Sequence, residues 1–106
     1  MAKYVLVYSG GSTGATPAEQ QATLQAWGSW FGKLGQAVVD AGNPFSDKAR
    51  SLSADGKVKD GAVGPRASGY SILEAGSIDA ATELAKGCPA LSSGGQVTVY
   101  ETFNAM

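Results

Sequence analysis

The sequence contains no histidine. Histidine is the one side chain whose ordinary pKa spans neutral pH, and it is the commonest metal ligand. Its absence removes Ser-His-Asp hydrolysis, Cys-His catalysis and most zinc and haem chemistry. Cysteine is nearly absent too: Cys88 stands alone, so no internal disulfide can form, and the lone thiol fits a reducing compartment. Charge is scarce, with 8 Lys plus Arg against 9 Asp plus Glu and a net charge of -1. With no basic run, the electrostatic footprint of nucleic-acid binding is missing, and no nucleic-acid partner is expected. No stretch approaches the roughly 20 apolar residues of a membrane helix, so no membrane partner is expected either. The opening Met1-Ala2-Lys3 runs straight into Tyr4-Val5-Leu6-Val7-Tyr8, too short for a signal-peptide apolar region and without a small-residue cleavage site. The expectation is a cytoplasmic protein that uses no metal and no cofactor.

What remains is globular. Apolar residues make up 43% of the 106 positions, enough for one domain that buries about two-thirds of the surface its unfolded chain exposes. Residues 3–9 alternate Tyr4, Leu6 and Tyr8 against Val5 and Val7, which predicts a first strand apolar on both faces. Thr16-Pro17-Ala18-Glu19 then carries the signals of a helix start, with Thr16 as N-cap, Pro17 at the first helical position and Glu19 completing a capping box. Leu24, Trp27, Phe31, Leu34 and Val38 follow at alternating spacings of three and four, predicting a long amphipathic helix that stops near Gly42-Asn43-Pro44. Gly28, Gly32 and Gly35 lie along one edge of that stripe, and each costs about 1 kcal/mol relative to Ala in a helix interior. The expectation is an element packed close against that edge, tight helix packing being favoured over a ligand.

The middle of the chain is the least periodic part. Asp55-Gly56 is a two-residue hairpin signal, placing a strand at 48–54, a return strand at 57–60 and an exposed loop from Asp60 to Arg66. A strand is expected over 69–75. A second helix follows, capped by Ser77, with Ile78, Ala81, Ala85 and Cys88 facing inward and Pro89 blocking its extension. A final strand is expected over 96–103. The order is βαββαβ, the pattern of a ferredoxin-like α+β protomer whose antiparallel sheet carries two helices on one face. The other face is left bare, and the doubly apolar first strand requires it to be covered, most simply by a second copy of the chain.

Lys3-Tyr4-Val5-Leu6-Val7-Tyr8, Trp27-Gly28-Ser29-Trp30-Phe31, Asp55-Gly56-Lys57-Val58-Lys59-Asp60-Gly61 and Gly69-Tyr70-Ser71-Ile72-Leu73-Glu74-Ala75 before Ser77-Ile78-Asp79-Ala80-Ala81 resemble, in that order, the YCII-related family and its DGPF-motif members. The likeness runs from Lys3 to about Phe103, and it implies a dimeric α+β barrel built from ferredoxin-like protomers, each a single domain over 1–106. The sequence departs from the family at Ala62-Val63, where the motif has Pro-Phe, and it lacks the histidine of the His and Asp pair that some members carry.

Among individual residues, Trp27 and Phe31 read as core aromatics, and Trp30, at the other edge of the stripe, as the better pocket wall. Gly10-Gly11-Ser12-Thr13-Gly14 fits no phosphate-loop pattern and reads as a flexible connector. Cys88 reads as a buried small hydrophobe. Asp47, Lys48, Asp60 and Arg66 sit in or beside loops, and Tyr8, Tyr70 and Tyr100 on strands. If Tyr8 and Tyr70 share a face over a cavity and Asp60 or Arg66 reaches its mouth, the group can bind a small carboxylate or enol and move a proton. The candidate pocket is therefore Tyr8, Trp30, Asp60, Arg66 and Tyr70. The expected function is a homodimer holding a small organic molecule between the sheet and the long helix, with any chemistry free of metal and histidine. The alternative is a non-catalytic interaction or accessory module.

Overall fold

The computed structural model describes residues 2–11 and 15–105. Its elements are β1 (Ala2–Ser9), α1 (Pro17–Leu34), a 3-10 turn over Gly35–Ala37, β2 (Val38–Asp40), β3 (Arg50–Leu52), β4 (Val58–Asp60), β5 (Ala67–Ala75), α2 (Ile78–Ala85), α3 (Pro89–Ser92) and β6 (Gln96–Glu101). The fold is α+β. Its main sheet has four antiparallel strands in the order β2-β5-β1-β6, and β3 and β4 form a separate hairpin.

α1 begins as its sequence dictates. Thr16 Oγ1 accepts from the Glu19 amide at 3.1 Å, and the Glu19 carboxylate accepts from the Ala15 amide at 2.9 Å. It ends seven residues short of the predicted stop. Gly35 adopts the left-handed φ of 55° and sends its N–H back to the Phe31 carbonyl, closing the helix there. Val38 therefore does not continue the helical stripe; with Val39 it enters β2, where β-branched residues are favoured. The predicted second sheet strand at 48–54 is likewise displaced, because β2 takes its place beside β5.

The hairpin pairs Arg50, Ser51 and Leu52 with Asp60, Lys59 and Val58. Its turn is longer than the two residues expected: Ser53 and Lys57 close it around Ala54-Asp55-Gly56, with Gly56 in the left-handed region. Among the described residues the hairpin lies beside no third strand, and Leu52 and Val58, opposite one another, are 71% and 60% exposed. With it the chain measures 44 × 39 × 18 Å, a flat two-layer body with an arm.

One face of the sheet is covered. Tyr4, Leu6 and Tyr8 of β1 and Ser71, Leu73 and Ala75 of β5 are buried beneath the helices. Trp30 of α1 and Ala85, Cys88 and Ala90 complete the core, with Val97 and Val99 of β6 against it. Ser77 caps α2 by accepting from the Ala80 amide at 3.1 Å. Ala81, Ala85 and Cys88 face inward, whereas Ile78, at the first turn, is 44% exposed. Pro89 ends the extension of α2 and at the same time opens α3, where its fixed φ suits the first helical position. The opposite face carries Val5, Val7, Tyr70, Ile72 and Tyr100, joined across strands as Val5↔Ile72, Val5↔Tyr100 and Val7↔Tyr70. No element among the described residues packs over it.

The glycine row does not have the neighbour expected of it. A Cβ at Gly28 or Gly32 would meet nothing within 4 Å, and Gly35 serves as the helix stop. The most tightly packed glycine among the described residues is Gly42, whose φ is +77° and whose Cβ would lie 1.7 Å from the Tyr70 carbonyl oxygen.

Candidate functional site

A cleft of about 610 Å³ opens between α1 and the covered face of the sheet. α1 contributes Thr23, Leu24, Trp27 and Phe31: Trp27 lies four residues after Thr23 and three after Leu24, and Phe31 four further on, so all fall on one side of the helix. The sheet contributes Tyr8, Gly69 and Ser71 as a floor. The segment Ala41–Pro44 forms one side wall, held to β5 by the Pro44↔Gly69 bridge and by the amide of Tyr70 donating to the Asn43 carbonyl at 3.4 Å. Ala90 and Ser93 close the far end.

The floor is a hydrogen-bonded chain. Tyr8 donates its phenol proton to Ser71 Oγ at 2.7 Å, and Ser71 donates its own to the Ala41 carbonyl at 2.6 Å. Ser71 is fully buried, and no buried side-chain oxygen or nitrogen among the described residues is left without a partner. The register explains the pairing: Tyr8 stands opposite Gly69, so the residue two further along β5 on the same face is Ser71. Burial pushes the Tyr8 phenol up to about 12. The phenol therefore stays protonated at neutral pH with its hydrogen committed to Ser71, and it meets a ligand as an acceptor. Burial also raises the Cys88 thiol, in agreement with its reading as a small hydrophobe.

The cleft walls are aromatic. Tyr8 and Trp27 meet edge to face at 5.0 Å, and Trp27 lies 5.9 Å from Phe31. This reverses the expected roles of the helix aromatics. Trp30 is 5% exposed, donates its indole N–H to the Leu84 carbonyl at 3.1 Å and packs over Gly87, so it belongs to the core beneath α2. Trp27 and Phe31 are only partly buried and face the cleft.

The remaining candidates do not converge. Tyr70 borders the cleft, but it stands opposite Val7 on the other face from Tyr8. There its ring stacks on Phe45 at 5.8 Å and its hydroxyl reaches Asp40 at 3.5 Å. Asp60 does not line the cleft: it lies on β4 of the hairpin, almost wholly exposed, 3.6 Å from Arg50. The hairpin that carries it pairs with no strand of the main sheet among the described residues, which the sequence pattern of the hairpin does not specify. Arg66 lines an adjoining depression of about 430 Å³ with Phe45, Ser46 and Asp47, and this depression shares Gly10, Gly11 and Ser68 with the cleft. Ser12, Thr13 and Gly14 of the glycine-rich connector lie outside the described residues. Ser71 was missed in the sequence although a signal was present: a hydroxyl at an inward position of Gly69-Tyr70-Ser71-Ile72-Leu73 requires a buried partner.

No lining residue of the cleft among those described is Asp, Glu, Lys or Arg, and no group of three potential ligating side chains is gathered for a metal ion among the described residues. No helix among them is long and apolar enough to cross a membrane. No protein-family model matches the chain, and no curated protein matches it either.

Proposed function

We propose that the chain is a ferredoxin-like, YCII-related protein that works as a homodimer and binds a small organic molecule in the cleft between α1 and the sheet. The observation that carries the binding reading is the cleft itself: about 610 Å³, walled by Trp27, Phe31 and Leu24, with the polar chain Tyr8–Ser71–Ala41 along its floor. A concave apolar site with a few oriented polar groups is the ordinary form of a small-molecule site. The lining offers hydrogen bonding and apolar contact without a carboxylate, an amine or a thiol, so recognition is the activity it supports best, ahead of proton transfer.

The fold part of the proposal is supported by the strand order. Counting only the main-sheet strands, β1-α1-β2 and β5-α2-β6 are two interlocked crossover units, with the hairpin inserted between them. The YCII likeness rests on the residues quoted above. The homodimer is supported by the bare apolar face of β1, β5 and β6 and by the arm. A two-stranded ribbon is marginal on its own in water, and Leu52 and Val58 offer it an apolar face that nothing among the described residues covers.

Native mass spectrometry and a fluorescence titration test the two halves separately. The neutral dye N-phenyl-1-naphthylamine is expected to bind once per chain and to draw energy from Trp27, and Trp27→Ala should weaken it at least about tenfold, as for loss of a buried aromatic contact. A dye that does not bind, or that binds Trp27→Ala equally well, removes the cleft reading. A monomer at micromolar concentration removes the assembly reading and leaves the cleft standing.

A further inference from the structure

We infer that the ligand class is an aromatic compound bearing one anionic group, its ring system in the cleft and its carboxylate or sulfonate at Arg66. This rests on the cleft reading above and adds to it the charge and orientation of the ligand.

The body of the ligand has to be uncharged. The cleft wall is built from Trp27, Phe31, Leu24 and Pro44, and no charged side chain among the described residues lines it. A charge placed there would lose its hydration without a counter-charge. The rings of Trp27 and Phe31, inclined by 34°, and the edge of Tyr8 leave aromatic surface facing the opening, which suits a flat ring system.

The cleft does not end at its own rim. It shares Gly10, Gly11 and Ser68 with the second depression, whose lining among the described residues holds one cation, Arg66, for a ligand projecting out of the cleft to meet. Arg66 is positioned: its Nη2 donates to the Ser46 carbonyl at 2.8 Å. It is also uncommitted as a charge, since no carboxylate among the described residues lies within 4.0 Å of it. One N–H fixed on a carbonyl leaves the rest of the guanidinium fork for a planar or tetrahedral anion, the geometry at which arginine is strongest. Asp47 lines the same depression and opposes a second negative group, which limits the ligand to one anion.

The test compares two probes with one ring system. 1-Anilinonaphthalene-8-sulfonate carries the anion and N-phenyl-1-naphthylamine does not, and both are followed by energy transfer from tryptophan. The sulfonate is expected to bind about tenfold more tightly at low salt, the scale of one charge-assisted hydrogen bond, and to lose that preference as salt rises. Arg66→Gln, at an exposed position where the fold has little at stake, should abolish the preference while leaving the neutral dye unchanged. Asp47→Asn should tighten the sulfonate by about two- to threefold by removing a nearby like charge. Equal affinities in the parent protein, or an Arg66→Gln variant that weakens both dyes alike, overturn the inference and leave the cleft reading intact. Failure of both dyes to bind overturns the two together.

Discussion

Removing the hydroxyls of Tyr8 and Ser71, singly and together, gives unequal losses that the geometry fixes in advance. In Tyr8→Phe the ring stays in its contact with Trp27 and one 2.7 Å hydrogen bond is lost. Ser71 still donates to the Ala41 carbonyl, so no buried donor is orphaned, and the cost is about 1 kcal/mol. Ser71→Ala loses both bonds and leaves the Tyr8 phenol, 6% exposed, with its proton unclaimed. The orphaned donor adds its desolvation to the lost bonds, for about 2–3 kcal/mol. In the double variant the orphan is gone, so its cost falls short of the sum of the singles by about 1 kcal/mol. For a domain of this size each kcal/mol moves the melting temperature by about 4–8 °C. Urea unfolding followed by tryptophan fluorescence, at one protein concentration because association feeds into apparent stability, measures all four corners. A Ser71→Ala variant no less stable than Tyr8→Phe, or single effects that add to within about 0.5 kcal/mol, refutes the hydrogen-bonded floor.

The Tyr8 phenol also sets a pH dependence. Its pKa rises from 10.0 to about 12 on folding, so between these values the native state keeps a proton the unfolded chain has released, and stability falls as pH rises, by about 2–3 kcal/mol at pH 12. Urea midpoints at pH 8 and 11 should diverge in the parent protein and less in Tyr8→Phe, where the Cys88 thiol and the Tyr4 phenol, both raised by burial, leave a remainder of the same sign. Because a Cβ at Gly28 or Gly32 meets only open space, alanine at either position should stabilise by about 1 kcal/mol in thermal melts. Gly42→Ala, aimed at the Tyr70 carbonyl from a left-handed backbone, should destabilise by more than about 2 kcal/mol, with loss of the β2 edge in hydrogen exchange. Leu52→Ser with Val58→Ser on the arm should change the unfolding free energy of the isolated chain by less than about 0.5 kcal/mol and raise the dissociation constant of the proposed dimer at least about tenfold in sedimentation equilibrium, one apolar hot spot's worth.

The helix starts and the two long strands were legible because each is decided locally. Thr16, Pro17 and Glu19 satisfy the first amides of α1 whatever the rest of the chain does, and Ser77 does the same for α2. The alternation of β1 and β5 is likewise a property of the residues themselves. The end of α1 was not legible, because Val38 falls four residues after Leu34 and so imitates another turn of helix. What decided the matter was Gly35, one of three glycines of equal weight in the sequence, taking the left-handed conformation. The position of the hairpin was not legible for a similar reason: Asp55-Gly56 announces a turn, and a turn says nothing of which sheet its strands join.

The site depended on a choice that periodicity does not make. Trp27, Trp30 and Phe31 share one side of α1, and the helical repeat puts Trp27 and Phe31 on the inward stripe with Trp30 at its edge. Their separation into core and cleft comes from what lies opposite. Beneath Trp30 the chain supplies Ala85, Gly87 and Ala90, small residues that let an indole sink until its N–H reaches the Leu84 carbonyl. Opposite Trp27 and Phe31 it supplies Ala41-Gly42-Asn43-Pro44, which turns away along the edge of β5 and leaves the volume open. Gly42 is the hinge of that arrangement, since any side chain there would strike the Tyr70 carbonyl and push the segment off the strand. The cleft thus exists because a short, non-periodic segment is pinned to a sheet edge by one glycine, and such a feature is written in contacts between distant residues rather than in the spacing of near ones.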